Sequence, residues 1–267
     1  MLITTATEQN KRSSQEDRTV VKNFKNGDIL LAVLDGHGGS RVAEIAANKI
    51  PYIFKSICRL YPTLSDHDVI LSLFKRLNYL TCNYSSGAAC SLVWVKPSLN
   101  LIHVAVLGDC PVLLKQPDEN IWRAPEHNVR TNAIEAQRAI KNGARIYNGY
   151  MFGYFGMDEV GIQMSRALGD KILHGVIERI PEIFTFSINF KDSNNLWLLL
   201  ASDGLFDPSH NILKNPYKSR KIEKRIEKKN NKYKEFLNFI ENKDIVAKDL
   251  IQYSDQKDNA TAILVRL

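Results

Sequence analysis

Ile29-Leu30-Leu31-Ala32-Val33-Leu34-Asp35-Gly36-His37-Gly38-Gly39 joins an apolar run to a carboxylate and a cluster of glycines. An apolar run of this length beside turn chemistry reads as a buried strand. Asp-Gly reads as the sharp turn that ends it. The pattern recurs. Leu196 to Ala201 runs into Ser202-Asp203-Gly204-Leu205-Phe206-Asp207, and Lys257-Asp258-Asn259 leads into Ala262 to Val265. Val104-Ala105-Val106-Leu107-Gly108-Asp109 supplies a fourth carboxylate, and Glu16-Asp17 an early acidic pair. Carboxylates gathered where strands give way to loops repel one another unless a cation sits among them. Oxygen-only ligation suits magnesium or manganese, and the lack of Cys/His clustering argues against zinc.

Outward from these strands, the rest of the chain reads as mixed α and β. Residues 1 to 11, 88 to 95, 100 to 107 and 260 to 267 are expected strands. Ser40 to Leu60 is an expected helix capped by Ser40, with Pro51 kinking or splitting it. Ser65 to Leu80 and Asn132 to Asn142 are two more, the latter with Gly143 just past its end. Residues 144 to 163 are expected to be an irregular loop. Strands paired around helical blocks favour an α+β layer fold over a repeating βαβ wind. With 267 residues, no internal repeat and no Pro/Gly/Ser linker, a single domain over 1–267 is expected.

The net charge of +7 is local. Lys214 to Lys234 holds ten Lys/Arg and two Glu, leaving 26 basic and 27 acidic residues elsewhere. A whole-surface nucleic-acid footprint is therefore not expected. The basic insert reads as a solvated helix or loop. Docking to an acidic partner, an anionic membrane or nucleic acid, or nuclear import, stay open for it. No stretch approaches the roughly 18 apolar residues of a membrane span. The N-terminus lacks the basic start and apolar core of a secretory signal. The four cysteines form no CxxC pair and read as reduced thiols. A cytoplasmic monomer is the expectation, with nuclear location or export without a cleavable signal left open.

Six motifs together carry a resemblance. They are Arg12-Ser13-Ser14-Gln15-Glu16-Asp17, Asp35-Gly36-His37-Gly38-Gly39, Leu107-Gly108-Asp109, Ser165-Arg166-Ala167-Leu168-Gly169-Asp170, Asp203-Gly204-Leu205-Phe206-Asp207 and Asp258-Asn259-Ala260-Thr261. In type and order they resemble the metal-dependent protein phosphatase 2C (PPM-type) family. The resemblance implies a four-layer α-β-β-α sandwich, two antiparallel sheets flanked by helices. It also implies a phosphoserine/phosphothreonine protein phosphatase in which a hydroxide bridging two Mg2+ or Mn2+ ions attacks phosphorus directly. By the resemblance, Asp35 bridges the ions and the Gly36 carbonyl binds the second. Asp203 and Asp258 complete the first site, and Glu16 acts through water. Asp17 and Asp207 support from behind, and Asp109 with Asp203 matches a weaker third-ion position. Arg12 would grip the substrate phosphate, and His37 would protonate the leaving oxygen.

Several of these residues have a second reading. Asp207 reads equally as a helix cap, Asp109 as a turn residue before Pro111, and Arg12 as a surface charge. His37 reads also as a spectator held by Asp35. Arg166 and Asp170 read as a structural ion pair with a helix cap, and His127 as an ordinary histidine. The sequence departs from the family at Ala88-Ala89-Cys90, Cys110-Pro111, Glu126-His127-Asn128 and Gly143-Ala144, none of them a ligand position. The rival to an enzyme is a pseudophosphatase that binds a partner through the basic insert.

Overall fold

The structure is a computed structural model that describes residues 1–118, 120–153, 161–190, 196–205, 231, 233–254 and 256–267. Two antiparallel sheets stack face to face. The first runs β1 (Leu2–Glu8), β13 (Ala260–Arg266), β12 (Trp197–Ala201), β6 (Val112–Lys115), β7 (Ile121–Arg123). The second runs β11 (Glu182–Ser187), β5 (Leu101–Leu107), β4 (Gly87–Lys96), β3 (Ile29–His37), β2 (Arg18–Asn23), with short β10 (Leu168–Gly169) beside the start of β4.

The period-two geometry of a strand explains why apolar runs are continuous here: both faces of the central strands are covered. In β3, Leu31 and Val33 point into the space between the sheets, packing with Leu198, Leu200, Ile263 and Val265. Leu30, Ala32 and Leu34 point the other way, onto helices α1 (Arg41–Leu60) and α2 (Asp66–Thr81). Across the first sheet, Leu199, Ala201 and Leu264 meet Phe236 and Ile240 of the helical residues 233–240. Helix, sheet, sheet and helix are thus the four layers the sequence implied. Each fully buried Leu or Phe in them contributes roughly 1.5–3 kcal/mol.

The helix signals are of mixed quality. Ser65 caps α2, its Oγ accepting from the Asp68 N–H at 3.1 Å. Asn132 caps α3 (Ala133–Lys141) by accepting from two backbone N–H groups, and Gly143 follows it at φ +93°. Ser40 stands before α1 without capping it, because its hydroxyl donates to Glu44 at 3.0 Å instead.

Several expectations need correction. Asp35-Gly36 is not a turn: β3 continues through His37, because Asp35, Gly36 and His37 find ladder partners in Ala89, Ala88 and Gly87. Pro51 does not split α1, which is one helix from Arg41 to Leu60. The stretch after α3 is not all irregular. β8 (Arg145–Tyr147) and β9 (Tyr150–Phe152) form a hairpin around Asn148-Gly149, both at positive φ. That is the Asn-Gly hairpin signal, overlooked in the sequence. Asp207 and most of the Lys214–Lys234 stretch lie outside the described residues.

Candidate active site

The strand ends explain how acidic residues distant in sequence meet. β12 and β13 are neighbours, so Asp203 just after one and Asp258 just before the other come to the same edge. β3 and β5 flank β4, which brings Asp35 and Asp109 together. Asp17 immediately precedes β2 at the same end. Glycine is required where backbones cross here. A Cβ on Gly36 would lie 2.6 Å from the Glu16 carbonyl oxygen, and one on Gly204 1.8 Å from that of Asn259.

The electrostatics show that these groups feel one another. Burial, then the charges of Asp203, Asp17 and Asp109, raise the Asp35 carboxyl well above its ordinary range. Asp203 is pushed up to about 7 by burial, then by Asp109 and Asp258. Asp17 and Asp109 are also raised, chiefly by burial. Asp17 accepts from Ser202 Oγ at 2.7 Å, while its other oxygen is buried without a hydrogen-bond partner among the described residues. Asp109 accepts from Asn128 Nδ2 at 3.0 Å. Crowded carboxylates with an orphaned oxygen and only oxygen donors form a set that fits hard divalent cations.

Around this core, Arg12 is exposed, and its Nη2 donates to Asp258 Oδ2 at 2.7 Å. Asn259 ties the preceding loop to the last strand. Its Oδ1 accepts from Glu16 N at 2.9 Å, and its Nδ2 donates to Gln9 O and Ser14 O, each at 3.0 Å. The Glu16 side chain accepts from Ser14 Oγ at 3.0 Å and from the Gly39 N–H at 3.4 Å. Sequence reasoning placed the carboxylates but not Ser202, Asn128 or Asn259, whose bonds cross long stretches of chain.

His37 is not held by Asp35. Its Nε2 lies 2.8 and 2.9 Å from the two carboxylate oxygens of Asp170. Asp170 accordingly does not pair with Arg166, and its side chain caps no helix. Arg166 instead bonds Glu135 at 2.7 Å and Glu182 at 3.0 Å. Ligand-type atoms of His127, Glu135 and Glu182 lie within 4.8 Å of one another. That cluster is already neutralised, because Arg138 joins Arg166 on Glu135, which Ser165 also bonds. Burial would raise Glu135, but bonds to Arg166, Arg138 and Ser165 outweigh it and hold the carboxyl well below its usual range. Burial, then the charge of Arg166, lowers His127 to about 4. A second cation there would face two guanidinium groups, so the cluster is an ion-pair network rather than a metal site.

Comparison with known proteins agrees with this architecture. The chain is 28% identical over 210 residues to a probable protein phosphatase 2C 32 of rice (Oryza sativa subsp. japonica), an alignment covering 75% of this chain and 51% of that protein. It is 27% identical over 221 residues to protein phosphatase 1L of Bos taurus, covering 76% and 59%. It therefore spans about half the length of these curated relatives. Among solved structures, a C. elegans sex determining protein superposes with TM-score 0.72 at 21% identity, covering 98% of this chain and 64% of that one. A Toxoplasma gondii serine-threonine phosphatase 2C gives 0.65 at 17% identity, covering 98% and 93%. Those likenesses speak to the fold. The family model described as "Protein phosphatase 2C" matches residues 3–211, and with most of the chain covered, this protein belongs to the protein phosphatase 2C family.

Proposed function

We propose that this chain is an active metal-dependent protein serine/threonine phosphatase, acting on phosphorylated proteins. The carrying observation is the convergence of Asp17, Asp35, Asp109, Asp203 and Asp258, where burial, and then the neighbouring carboxylates, raise Asp35 and Asp203 above the ordinary carboxylate range. Asp35, the Gly36 carbonyl, Asp203 and Asp258 would hold two Mg2+ or Mn2+ ions, with Glu16 acting through water and Asp109 at a third. Bound there, such ions supply Lewis acidity to the phosphoryl group and lower the pKa of attacking water.

The chain's own residues do the rest. Asp17, fixed by Ser202, would stand behind the ligands and set their orientation, a role the family resemblance also gives to Asp207. Arg12 is exposed at the rim and presents a fork matched to two phosphate oxygens, which orients the phosphorus for in-line attack. His37 gives a proton to the Ser or Thr oxygen as it departs. No cysteine takes part: Cys90 is buried and pushed up to about 12 by burial, so it stays a thiol. The basic Lys214–Lys234 stretch is proposed to attract acidic partners or phosphorylated substrates.

The test is direct. Purified protein assayed on a phosphothreonine peptide and an aryl phosphate with Mn2+ should turn over both. EDTA should abolish turnover, and Asp203→Asn should lower it by about 100-fold or more. Full activity in EDTA, or no activity with metal bound and the fold intact, would overturn the assignment.

A further inference from the structure

β4 begins at Gly87, and two chain segments flank it. His37, at the end of β3, pairs with it on one side, and Gly169 of β10 on the other. The side chains of His37 and Asp170 meet in the space that a side chain at position 87 would fill. A Cβ there would lie 2.3 Å from His37 Nε2 and 2.1 Å from Asp170 Oδ2.

The pair is built at some cost. Asp170 is 3% exposed and sits at φ +51°, a left-handed conformation that non-glycine residues adopt reluctantly. Its own N–H donates to Ser86 O at 3.0 Å, and Arg179 reaches its backbone carbonyl at 3.4 Å. Among the described residues, His37 is the one side chain that hydrogen-bonds its carboxylate. A buried carboxylate is expensive unless a partner uses it. The other ring nitrogen, His37 Nδ1, is buried and has no hydrogen-bond partner among the described residues. So one nitrogen is fixed by Asp170, and the other is left unpaired among the described residues.

We propose that Asp170 is a positioning residue for His37. It fixes the ring and keeps a proton on Nε2, so that Nδ1 is the nitrogen that serves the leaving group. This rests on the reading of His37 as proton donor. In the step, the imidazolium gives its Nδ1 proton to the Ser or Thr oxygen while the bond from phosphorus to that oxygen breaks. Water supplies the new oxygen on phosphorus. The ring is left neutral, with Nε2–H still donating to Asp170, and regains its proton from solvent. The products are inorganic phosphate and a neutral alcohol. The arrangement follows the general rule that a bond to one imidazole nitrogen sets the role of the other.

Asp170→Asn tests it, because an amide is nearly isosteric yet no longer a carboxylate acceptor. A phosphothreonine peptide has a poor leaving group that needs protonation, and p-nitrophenyl phosphate has a good one that does not. With Mn2+, kcat on the peptide should fall about 100-fold, while kcat on p-nitrophenyl phosphate should stay within about threefold. His37→Gln with Asp170→Asn should be no worse than His37→Gln alone. Equal losses on both substrates, or additive losses in the double variant, would overturn the proposal. A second readout needs neither activity nor a folded variant. Long-range 1H–15N NMR of the unsubstituted protein should show His37 as the Nε2–H tautomer when neutral, and the Nδ1–H tautomer would overturn it. If the parent is inactive on both substrates, the phosphatase reading fails, and the tautomer measurement still decides the role of Asp170.

Discussion

At Asp203 the interests of folding and of the proposed metal binding diverge. Its carboxyl stands at about 7 in the folded chain against an ordinary 3.8, raised by burial and by Asp109 and Asp258. Between those values the folded protein holds a proton that the unfolded chain has released. Its contribution is therefore intact below pH 3.8 and lost as pH rises through 7. In EDTA, the stability of Asp203→Asn relative to the parent should rise by a few kcal/mol (order of magnitude) between pH 4 and pH 8. Urea denaturation across that range checks this, and a pH-independent difference would refute it. Asn259 is the second informative residue. Replacing it with Ala removes three hydrogen bonds that hold the 9–16 loop. At roughly 1 kcal/mol each, the cost is about 3 kcal/mol, with weaker Mn2+ binding as Glu16 is loosened. Calorimetric titration and chemical denaturation of one variant read both.

Among the elements, α1 carries a proline in its interior, at Pro51. Pro51 has no N–H to give to the preceding turn, and its ring crowds that turn's carbonyl. Pro51→Ala should raise stability by about 1–3 kcal/mol without changing turnover. A lower melting temperature would show that the ring's packing outweighs its cost. How elements were legible in the sequence follows from where their partners lie. The apolar runs of β3, β4, β5, β12 and β13 announced themselves because both faces are covered. β2 did not: only Val20 is buried there, and the strand exists because β3 pairs with it. β7 and β11 are likewise mostly half-buried edge strands that borrow their order from a neighbour. Asp35-Gly36 was misread because Gly87–Ala89 extends the ladder beyond the apolar run, which no local rule can see.

On the scale of the whole molecule, paired sheets bring like charges together that bound ions would relieve. Saturating Mn2+ at about 100 times its Kd should therefore stabilise the protein by about 2.7 kcal/mol. Asp203→Asn should lose most of that gain in a thermal-shift assay, and an equal gain in both proteins would place the ions elsewhere. The motifs named the carboxylates, and Asp35, Asp109, Asp203 and Asp258 each sit beside an apolar run. They could not pair His37 with Asp170, which lie 133 residues apart and meet only because β3 and β10 both border Gly87. One consequence lies in the order of synthesis. β13 sits between β1 and β12, and its register joins Leu2 to Arg266. While the ribosome still holds the last strand in its tunnel, β1 has no neighbour, and the loop bearing Asp258 has nowhere to dock. A growing chain therefore cannot bring Asp203 and Asp258 to one edge until β13 has emerged to pair with β12.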